Sequence, residues 1–566
     1  MAKRRILVTS ALPYANGDLH LGYMLEVIQT DIWVRFQKMQ GNECYYVCAD
    51  DTHGTPIMLK ADEMGITPEE LIASVSERHQ EDLSDFHIDF SQYHSTHSEE
   101  NREISELIYN RLNESGYIKK RVISQSFDPE KEMFLPDRYI KGDCPKCGAE
   151  DQYGDNCEVC GATYSTTEIK NARSVISGAK PIEKDSEHYF FDLPQFEKEL
   201  KNWTKAGHLQ EQVSNKLAEW FEQGLQQWDI SRDKPYFGFK IPEEDNKYFY
   251  VWLDAPIGYI ASINNWATKN NIDMDSLWSD NSEYEIYHFI GKDISYFHGL
   301  FWPALLSASD LKLPNGIFVH GFLTINGEKM SKSKGTGILA KEFAELCDPE
   351  TLRYYFAAKL NDKVEDIDLN FEDYVQRINS DLVGKYLNIA SRCSSFIEKN
   401  SNELSDTFDN QLLEEAIKQK EDIEECFESR NYSKAIRLIM DIADLTNKYI
   451  NDNTPWKKDS KEAAHIATTA LNVFNILSIY LSPVIPNITN GAFKFLNQDS
   501  QSFNDVELLL KNKINKYKPL LKRLEPIIIP EEKPMSDEEN YINIDQFAEI
   551  DLRVAEIIAA SHVDGA

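Results

Sequence analysis

Four cysteines form two Cys-x-x-Cys pairs, Cys144 with Cys147 and Cys157 with Cys160. Each pair can direct two thiolates at one tetrahedral ion, and nearby glycines let backbone amides approach the sulfurs. Zinc is the ion that this ligand set favours. Because four Cys ligands leave no open position, one structural Zn²⁺ per chain is predicted. Two disulfides or a redox pair are the alternatives, and a reducing compartment disfavours them.

Two other segments carry groups suited to phosphate. His20, Gly22 and Tyr23 stand where a helix is predicted to begin, and the backbone N–H groups at a helix N-terminus attract phosphate. Residues 329–334 place three lysines among two serines, so this segment could bind a triphosphate and neutralise departing pyrophosphate. Taken singly, a structural histidine and a solvated surface run explain them. Together they predict a nucleotide site.

The elements that must position these groups are predicted to form an α/β fold. Short β-rich runs alternate with helical patterns in residues 1–116 and 227–325, which predicts two halves of one parallel sheet, with a strand over 248–253. Residues 117–226 hold the cysteine pairs and break this rhythm, so they are predicted to be an insertion. Helical patterns follow the lysine-rich segment and predict a helical bundle over 386–525.

The amino-acid composition changes near the end of the chain. Proline and acidic residues over 526–540 predict a linker, and an ordered pattern resumes over 541–566. This last stretch is too short to bury a core of its own. We therefore expect the chain to stop inside a further domain.

The charge of the chain argues at first against a nucleic-acid partner. The 566 residues include 60 lysines and arginines against 94 acidic residues, a formal net charge of −34. A uniformly acidic surface would repel a polyanion, so such a partner would need a local basic track. That track is predicted to run from the lysines of 329–334 toward Arg392 and on to Lys457 and Lys458.

The first residues, the apolar stretches and the cysteines indicate a cellular location. No secretory pattern opens the sequence, and the uncharged stretch 466–493 is interrupted by prolines and asparagines. It predicts a buried helix and a turn rather than a membrane span. The cysteines fit a reducing environment, so we expect a cytoplasmic protein without membrane contact.

The two phosphate segments resemble the two signatures of class I aminoacyl-tRNA synthetases. Segments 11–17, 48–55 and 252–259 and the cysteine knuckle are more closely similar to the bacterial methionyl-tRNA synthetase family. This resemblance implies a Rossmann-type parallel sheet split by a zinc-knuckle insertion and followed by an all-α anticodon-binding bundle. It assigns residues 326–385 to the signature loop and a stem-contact region.

The resemblance also implies an activity and its partners. The enzyme would use ATP, with Mg²⁺, to convert L-methionine to methionyl adenylate and pyrophosphate. It would then transfer the methionyl group to the 3′ terminal adenosine of tRNA(Met), including initiator tRNA, and release AMP. Residues 541–566 look like the start of an OB-fold tRNA-binding domain. A longer form with that whole domain would be a homodimer through it, and this chain a monomer.

Site residues are carried over by motif match. The catalytic residues implied are His20, Lys329 and Lys332. The ATP-binding set is Gly17, His20, Gly22, Tyr23, Glu26, Gly291, Asp293, His320, Leu323 and Lys332. The methionine-binding set is Ala11, Leu12, Tyr14, Asp51, Trp252, Ala255, Pro256, Tyr259, Phe297 and His298. The anticodon-binding set is Asn388, Arg392, Pro455 and Trp456.

One position departs from the family pattern. The first signature ordinarily ends in His or Asn, whereas here it ends in Tyr23. A phenol cannot become a cation as an imidazole can. We therefore expect Tyr23 to pack or to donate one hydrogen bond, while His20 and the lysines carry the phosphate chemistry.

Two rival interpretations remain at this stage. Another class I nucleotidyl transferase acting on a small acid would not need Asn388, Arg392 and Trp456. A non-catalytic tRNA-binding protein would be expected to lose Asp51, His20 or Lys332, and all three are present. Methionine-dependent exchange between ATP and pyrophosphate separates these interpretations.

Overall fold

The computed structural model describes residues 3–527, apart from positions 155, 156, 158, 163, 165, 167, 274, 280, 330–336, 500, 511 and 512. The predicted start of an OB-fold at 541–566 and nearly all of the predicted linker lie outside these residues. So do Lys332 and Lys334, and of Lys329 only the backbone is described.

The N-terminal part alternates strands with helices. Its elements are β1 (Arg5–Ser10), α1 (Leu21–Met39), β2 (Glu43–Asp50), α2 (Thr55–Met64), α3 (Pro68–Asp85), β3 (Gln92–Ser95) and α4 (Glu99–Glu114). Helix α3 begins at a complete capping box, in which Thr67 and Glu70 each bond the other's backbone N–H. Helix α1 begins after His20, whose side chain makes no capping bond.

The insertion forms separate antiparallel sheets. Its elements are β4 (Ile118–Asp128), β5 (Met133–Phe134), β6 (Ile140–Asp143), β7 (Gln152–Tyr153), β8 (Lys170–Ser174), β9 (Ile182–Phe191), α5 (Glu197–Trp203), α6 (Glu211–Gln223) and β10 (Trp228–Asp229). Strands β4 and β9 pair along their whole length and β10 extends that sheet. The sheet therefore reaches past residue 226, where the sequence places the end of the insertion.

The chain then completes the parallel sheet. The next elements are β11 (Ser231–Asp233), β12 (Lys247–Phe249), α7 (Val251–Lys269), α8 (Asp275–Trp278), β13 (Tyr284–Gly291), α9 (Trp302–Ser307) and β14 (Gly316–His320). The predicted strand over 248–253 is wrong beyond Phe249, because α7 begins at Val251. One face of α7 carries Trp252, Ala255, Pro256 and Tyr259, which have helical spacing. The packing of this face outweighs the β-rich composition of residues 248–253.

The parallel sheet creates the place for a site. Its strand order is β14-β13-β1-β2-β3, and every neighbouring pair is parallel. Strand β1 is central, with β2 and β3 on one side and β13 and β14 on the other. The chain fills one side of β1 first and the other side later, so the strand order reverses at β1. Ligands in such sheets bind at this switch point, outside the carboxyl ends of the strands. Ala11, Asp51, Asp293 and His320 lie at or just beyond the carboxyl ends of β1, β2, β13 and β14, respectively. The predicted methionine residues from Trp252 to Tyr259 come instead from α7.

The rest of the described chain is mostly helical. A small sheet joins β15 (Leu323–Ile325), β16 (Glu328–Lys329) and β17 (Ile367–Leu369), and around it lie α10 (Ala340–Leu346), α11 (Pro349–Ala357) and α12 (Phe371–Arg377). A bundle follows, made of α13 (Leu387–Lys399), α14 (Asn410–Lys418), α15 (Lys420–Glu428), α16 (Tyr432–Asn453), α17 (Ser460–Leu481) and α18 (Pro486–Phe495). Helix α17 is long and apolar enough to cross a membrane, but 94% of its apolar stretch is buried, as in the core helix of a bundle.

The sheet and the bundle are joined by a buried charge. Arg353 of α11 is fully buried, and its guanidinium bonds the Asp31 carboxylate of α1 at 2.6 Å. It also donates to the carbonyls of Phe86, Pro483 and Val484, on both sides of the junction. One carboxylate and three carbonyls therefore offset part of the cost of burying this cation.

Candidate active site and metal centre

A small cavity of about 120 Å³ lies beyond the carboxyl ends of β1, β2 and β13. It is lined by Ala11, Leu12, Asp51, Trp252, Ala255, Pro256, Tyr259, Ile294, Phe297 and His298. These are the predicted methionine residues, except that Tyr14 lies in the neighbouring cavity and Ile294 is added. Nothing in the sequence marks Ile294, which reaches the wall only because the turn after β13 places it there.

Asp51 is the charged group of this cavity. Its Oδ1 atom is buried and bonds no partner within the described residues. Burial raises the pKa of this carboxyl well above its usual range, and the nearby Asp254 carboxylate raises it further. A buried carboxylate without a cation is costly, so the position suits the ammonium group of a small ligand.

Aromatic rings form the outer wall of the cavity. Trp252 lies edge-on to Phe297 at 5.8 Å and is 45% exposed. Behind these lining rings, Trp228 packs against Phe297 at 5.4 Å and against Phe301 at 4.5 Å. Rings of this kind offer apolar surface and favourable contacts to a polarizable sulfur. The wall is therefore suited to a thioether side chain.

Tyr259 and His298 form a neutral polar pair at the inner end. The Tyr259 hydroxyl lies 2.9 Å from His298 Nε2, and His298 Nδ1 lies 3.1 Å from the carbonyl of Ile294. A carbonyl can only accept, so Nδ1 carries the proton and Nε2 accepts from the hydroxyl. Burial lowers the pKa of His298 to about 4, which keeps this imidazole uncharged at neutral pH.

A larger cavity of about 580 Å³ adjoins the first and shares Ala11, Leu12 and Ile294 with it. Of the predicted ATP residues, it is lined by His20, Gly22, Tyr23, Glu26, Gly291, Asp293, His320 and Leu323. Gly17 is not on its wall, and its carbonyl instead accepts a bond from His79 at 2.7 Å. A Cβ at Gly291 would stand 2.6 Å from Asp293 Oδ1, so any larger residue there would displace the Asp293 carboxylate.

Glu26 and His320 form a contacting pair on the wall of the larger cavity. His320 Nε2 lies 3.2 Å from Glu26 Oε2, and Nδ1 lies 2.7 Å from the carbonyl of Gly321. Burial raises the pKa of Glu26, and the bond to His320 opposes that rise. The pair gives the cavity a polar floor.

Tyr23 points away from phosphate chemistry. Its hydroxyl donates to the carbonyl of Ala11 at 3.1 Å and lies 3.6 Å from Cys48 Sγ. Burial raises the pKa of this phenol well above its usual range. The ring therefore braces the segment that separates the two cavities. His20, by contrast, is exposed at the start of α1.

The four cysteines converge in the insertion. Their sulfurs all lie within 4.8 Å of one another, with 3.8 Å between Cys144 and Cys160 and 3.6 Å between Cys147 and Cys157. Four sulfurs at about 2.3 Å from one ion stand roughly 3.8 Å apart, so the set fits tetrahedral zinc. All four cysteines are free thiols rather than disulfides.

The predicted anticodon residues share one face of the bundle. Asn388 bonds Asn447 at 3.0 Å, and Arg392 bonds Asn451 at 2.6 Å. The Arg392 guanidinium lies 5.7 Å from the ring of Trp456, whose side chain is 53% exposed. Pro455 is buried beneath the turn that presents this indole.

Three charged or titratable residues near the small cavity were missed by the sequence analysis. Arg232 lies 3.6 Å above the Tyr250 ring, which stacks on Trp252. His53 and Asp254 form a fully buried pair. His53 and Asp254 stand inside the quoted motifs, but only the packing of α7 against β2 brings them together.

Comparisons with known proteins identify the family of the chain. A family model described as tRNA synthetases class I (M) matches residues 6–394, and one described as the anticodon-binding domain of tRNA ligase matches residues 409–549. A curated relative, the methionine–tRNA ligase of Vesicomyosocius okutanii subsp. Calyptogena okutanii (strain HA), is 60% identical over 533 residues, covering 93% of this chain and 98% of the relative.

Solved structures show the same fold. Mycobacterium tuberculosis methionyl-tRNA synthetase in complex with methionyl-adenylate aligns with a TM-score of 0.76 at 24% identity, over 91% of this chain and 99% of that one. Its apo form aligns with a TM-score of 0.71 at 22% identity, over 93% of this chain and 100% of that one. Because the family model spans residues 6–394 and the curated relative is 60% identical over nearly its whole length, the chain belongs to the class I tRNA synthetases of the methionine type, which are methionine–tRNA ligases.

Proposed function

We propose that the two adjoining cavities together bind L-methionine and ATP and form methionyl adenylate, which then acylates the 3′ terminal adenosine of tRNA(Met). The observation that carries this proposal is the shared wall. Asp51, whose Oδ1 atom bonds nothing within the described part of the chain, lines the small cavity, and that cavity adjoins one large enough for a nucleotide. A substrate held in the small cavity would thus direct its carboxylate toward the α-phosphate.

The small cavity would hold methionine by both ends. Asp51 accepts the α-ammonium, joined by the backbone near Leu12, while the side chain lies against Ala255, Pro256 and the aromatic wall. Tyr259 and the neutral His298 flank the thioether. A missing or added methylene changes binding by only ~1–3 kcal/mol, so the fit and the sulfur contacts act together.

The larger cavity would hold ATP. The adenine lies over Gly22, where the absence of a side chain permits close approach, and Glu26, Gly291, Asp293, His320 and Leu323 surround the nucleoside. His20 is exposed at the helix start, where it can donate to phosphate oxygens. Lys329 and Lys332 would neutralise the leaving pyrophosphate. Mg²⁺ bound with the ATP phosphates would supply further charge neutralisation.

The reaction needs positioning rather than a covalent nucleophile from the chain. The methionine carboxylate is itself the nucleophile at the α-phosphate, and the ribose hydroxyl of the tRNA end attacks the adenylate in the second step. Holding the two reactants in adjoining cavities converts the first attack into an intramolecular step. The cationic groups stabilise charge that develops on the phosphates.

We further assign a structural Zn²⁺ to Cys144, Cys147, Cys157 and Cys160, whose sulfurs have tetrahedral spacing. Metal analysis should find one zinc per chain. Cys147→Ser should lose it and lower the melting temperature of the insertion, while exchange of pyrophosphate into ATP continues. Loss of exchange in step with zinc would instead make the knuckle part of the activation machinery.

The helical face would read the anticodon. Exposed Trp456 offers a stacking platform, and Asn388 and Arg392 offer amide and guanidinium groups to unstacked bases. Lys457 and Lys458 are exposed beside it and can contact phosphates. The domain boundaries of the sequence analysis, the cytoplasmic location and a monomeric state of this chain belong to the same proposal.

The decisive experiment has two stages. Methionine-dependent exchange of labelled pyrophosphate into ATP tests activation, and charging of a tRNA(Met) transcript tests transfer. We expect both activities, with no exchange when another amino acid replaces methionine. Exchange driven equally by another small acid, or exchange without charging of any tRNA, would overturn the proposal.

A further inference from the structure

The segment between β1 and α1 connects the two substrate cavities. Segment 11–20 begins on the wall that the cavities share and ends at His20, the residue before α1. Its backbone also pairs with Asp51. The N–H of Ala15 donates to the Asp51 carbonyl, and the N–H of Asp51 donates to the Pro13 carbonyl, both at 2.8 Å. The conformation of this segment therefore sets how the methionine cavity lies relative to the phosphate end of the larger one.

His79 of α3 holds the middle of segment 11–20. Its Nε2 atom lies 2.7 Å from the carbonyl oxygen of Gly17. Its Nδ1 atom lies 2.6 Å from Oδ1 of Asp50, the last residue of β2. His79 is fully buried, and it is not among the described residues that line either cavity. One side chain thus joins the segment to the strand end that precedes Asp51.

Both partners of the His79 ring are hydrogen-bond acceptors. A carbonyl oxygen can only accept, so Nε2 carries a proton. Asp50 Oδ1 also accepts from the hydroxyl of Tyr93 at 2.7 Å, and burial raises the pKa of that phenol well above its usual range, which keeps it a donor. The ring can donate to both acceptors at once only as an imidazolium, with a proton on each nitrogen.

The charged groups around His79 favour the imidazolium. Burial by itself lowers the pKa of this ring. The bond to Asp50 and the charges of Asp50 and Asp82 outweigh burial, so the pKa of His79 lies above its usual value. Asp82 stands three residues further along α3. The charged groups that act on Asp82 in turn are Asp18 of the segment, Asp85 of α3 and Lys341 of α10.

Two further cations contact the same segment. Lys60 of α2 donates to the carbonyl of Asn16. Arg78 of α3 bonds the Asp18 carboxylate at 2.6 Å. Because the side chains of Arg78 and Asp18 are 43% and 42% exposed, solvent screens their attraction. His79 differs from both cations, since it is buried and bonds two elements at once.

We propose that the His79 imidazolium is a positioning residue for the activation step: it fixes segment 11–20 against the end of β2 and so sets the placement of His20 relative to Asp51. This inference rests on the proposed roles of His20 and Asp51. Because His79 lies outside both cavities, it acts on the rate of adenylate formation more than on the binding of either substrate. Misplacing reactants by about 1 Å can lower a rate ~10²-fold.

The test compares two variants that each keep one of the two bonds. His79→Gln places an amide near the Nε2 position and can still donate to Gly17, whereas His79→Asn places one near Nδ1 and can still donate to Asp50. In both variants, kcat for methionine-dependent exchange of pyrophosphate into ATP should fall ~10-fold or more. The dissociation constant of L-methionine, measured by calorimetry, should stay within about twofold, because the residues that line the small cavity are unchanged.

The pH profile of exchange separates positioning by a cation from packing. As the pH rises through the elevated pKa of His79, the ring loses one proton and can donate to only one of its two acceptors. In the unmodified protein kcat should therefore fall on the alkaline side, in a step that both variants lack. If the variants keep this step, or if methionine affinity falls as much as kcat, His79 has a packing role and the proposal is wrong.

A spectroscopic measurement tests the charge of His79 without using activity. In protein labelled with ¹⁵N-histidine, long-range ¹H–¹⁵N spectra distinguish a ring with two protons from either neutral tautomer. The His79 signals are those missing from either variant. At about one pH unit above the usual pKa of histidine, roughly 6.5, both nitrogens of this ring should still carry protons. A single proton would overturn the proposal, and so would spectra in which every histidine is neutral, even if both variants failed to fold.

Failure of this inference and failure of the proposed function give different results. If the unmodified protein shows no methionine-dependent exchange, the proposed function fails, whereas the spectra are unaffected. Full exchange that neither variant changes would remove only the positioning role of His79. His465→Gln is the matched control, because it replaces a histidine of the helical bundle that lies 3.0 Å from the Thr407 hydroxyl. It should leave kcat and its pH profile unchanged.

Discussion

The methionine cavity and the anticodon face use unpartnered groups in opposite ways. In the cavity, the buried Oδ1 atom of Asp51 has no hydrogen-bond partner among the described residues, and burial makes an uncompensated charge there energetically costly. On the helical face, Trp456 is 53% exposed and solvent covers it at little cost. Binding in the cavity is therefore expected to depend on pairing a buried charge with a counter-ion. Binding at the helical face is expected to depend on stacking of a base on an exposed ring.

This difference between a buried charge and an exposed ring predicts how mutations will weaken binding at each site. Removing the buried charge should abolish one substrate's binding almost entirely, because its low-dielectric surroundings magnify the interaction. Removing an exposed ring should weaken a large interface by a graded amount. The two regions should also fail independently, since activation needs only the cavities and charging needs both.

Asp51→Asn should have the largest effect. Leaving the substrate ammonium without its buried partner costs about 3 kcal/mol or more, so kcat/KM for methionine in pyrophosphate exchange should fall at least ~10²-fold. Affinity for tRNA, measured by filter binding, should stay within a factor of two or so, because the helical face is untouched. Equal losses in both assays would show that the two regions are coupled.

Trp456→Ala should have an intermediate effect on charging alone. Stacking of one base on an aromatic ring contributes ~1–3 kcal/mol, so kcat/KM for tRNA charging should fall roughly 5–150-fold. Exchange should remain unchanged. Leu445→Ala, an exposed apolar residue on α16, serves as the matched control and should leave charging unaffected. A loss of exchange in Trp456→Ala would contradict the separation of the two sites.

Tyr23→Phe should have the smallest effect. The hydroxyl makes one bond to the carbonyl of Ala11, worth about 1 kcal/mol, so KM for ATP in the exchange assay should rise no more than about fivefold. A loss of a hundredfold would show that the phenol contacts phosphate and that its position at the end of the signature matters chemically. Tyr23→His tests whether a cation there strengthens ATP binding.

Sequence reasoning succeeded where a motif carries its own geometry. The cysteine pairs predicted a tetrahedral cluster because two Cys-x-x-Cys turns can place sulfurs in only a few ways, and the four sulfurs are found together. The parallel sheet and the helical bundle followed from periodicity, and both are confirmed. The lining of the small cavity followed from resemblance, since its residues come from segments far apart in the chain.

Sequence reasoning did not predict the features that depend on contacts between separate helices and strands. Residues 248–253 have strand composition, yet Trp252 and its neighbours form a helix because their spacing lets one face close the cavity. Tyr14 belongs to the larger cavity, and Ile294 joins the smaller one through the turn after β13. No local sequence pattern shows which residues will be helical or which cavity a side chain will line, because tertiary packing outweighs intrinsic propensity.

By itself, then, the sequence determined the order of elements, the cysteine ligand set and the chemical types gathered at the ends of the strands, because these depend on local spacing. Only the tertiary structure decided the charge state of the site. The pairing of His53 with Asp254, the bare oxygen of Asp51 and the neutral tautomer of His298 all depend on burial and on partners from other elements. Desolvation acts through the whole surrounding fold, and no stretch of sequence records it.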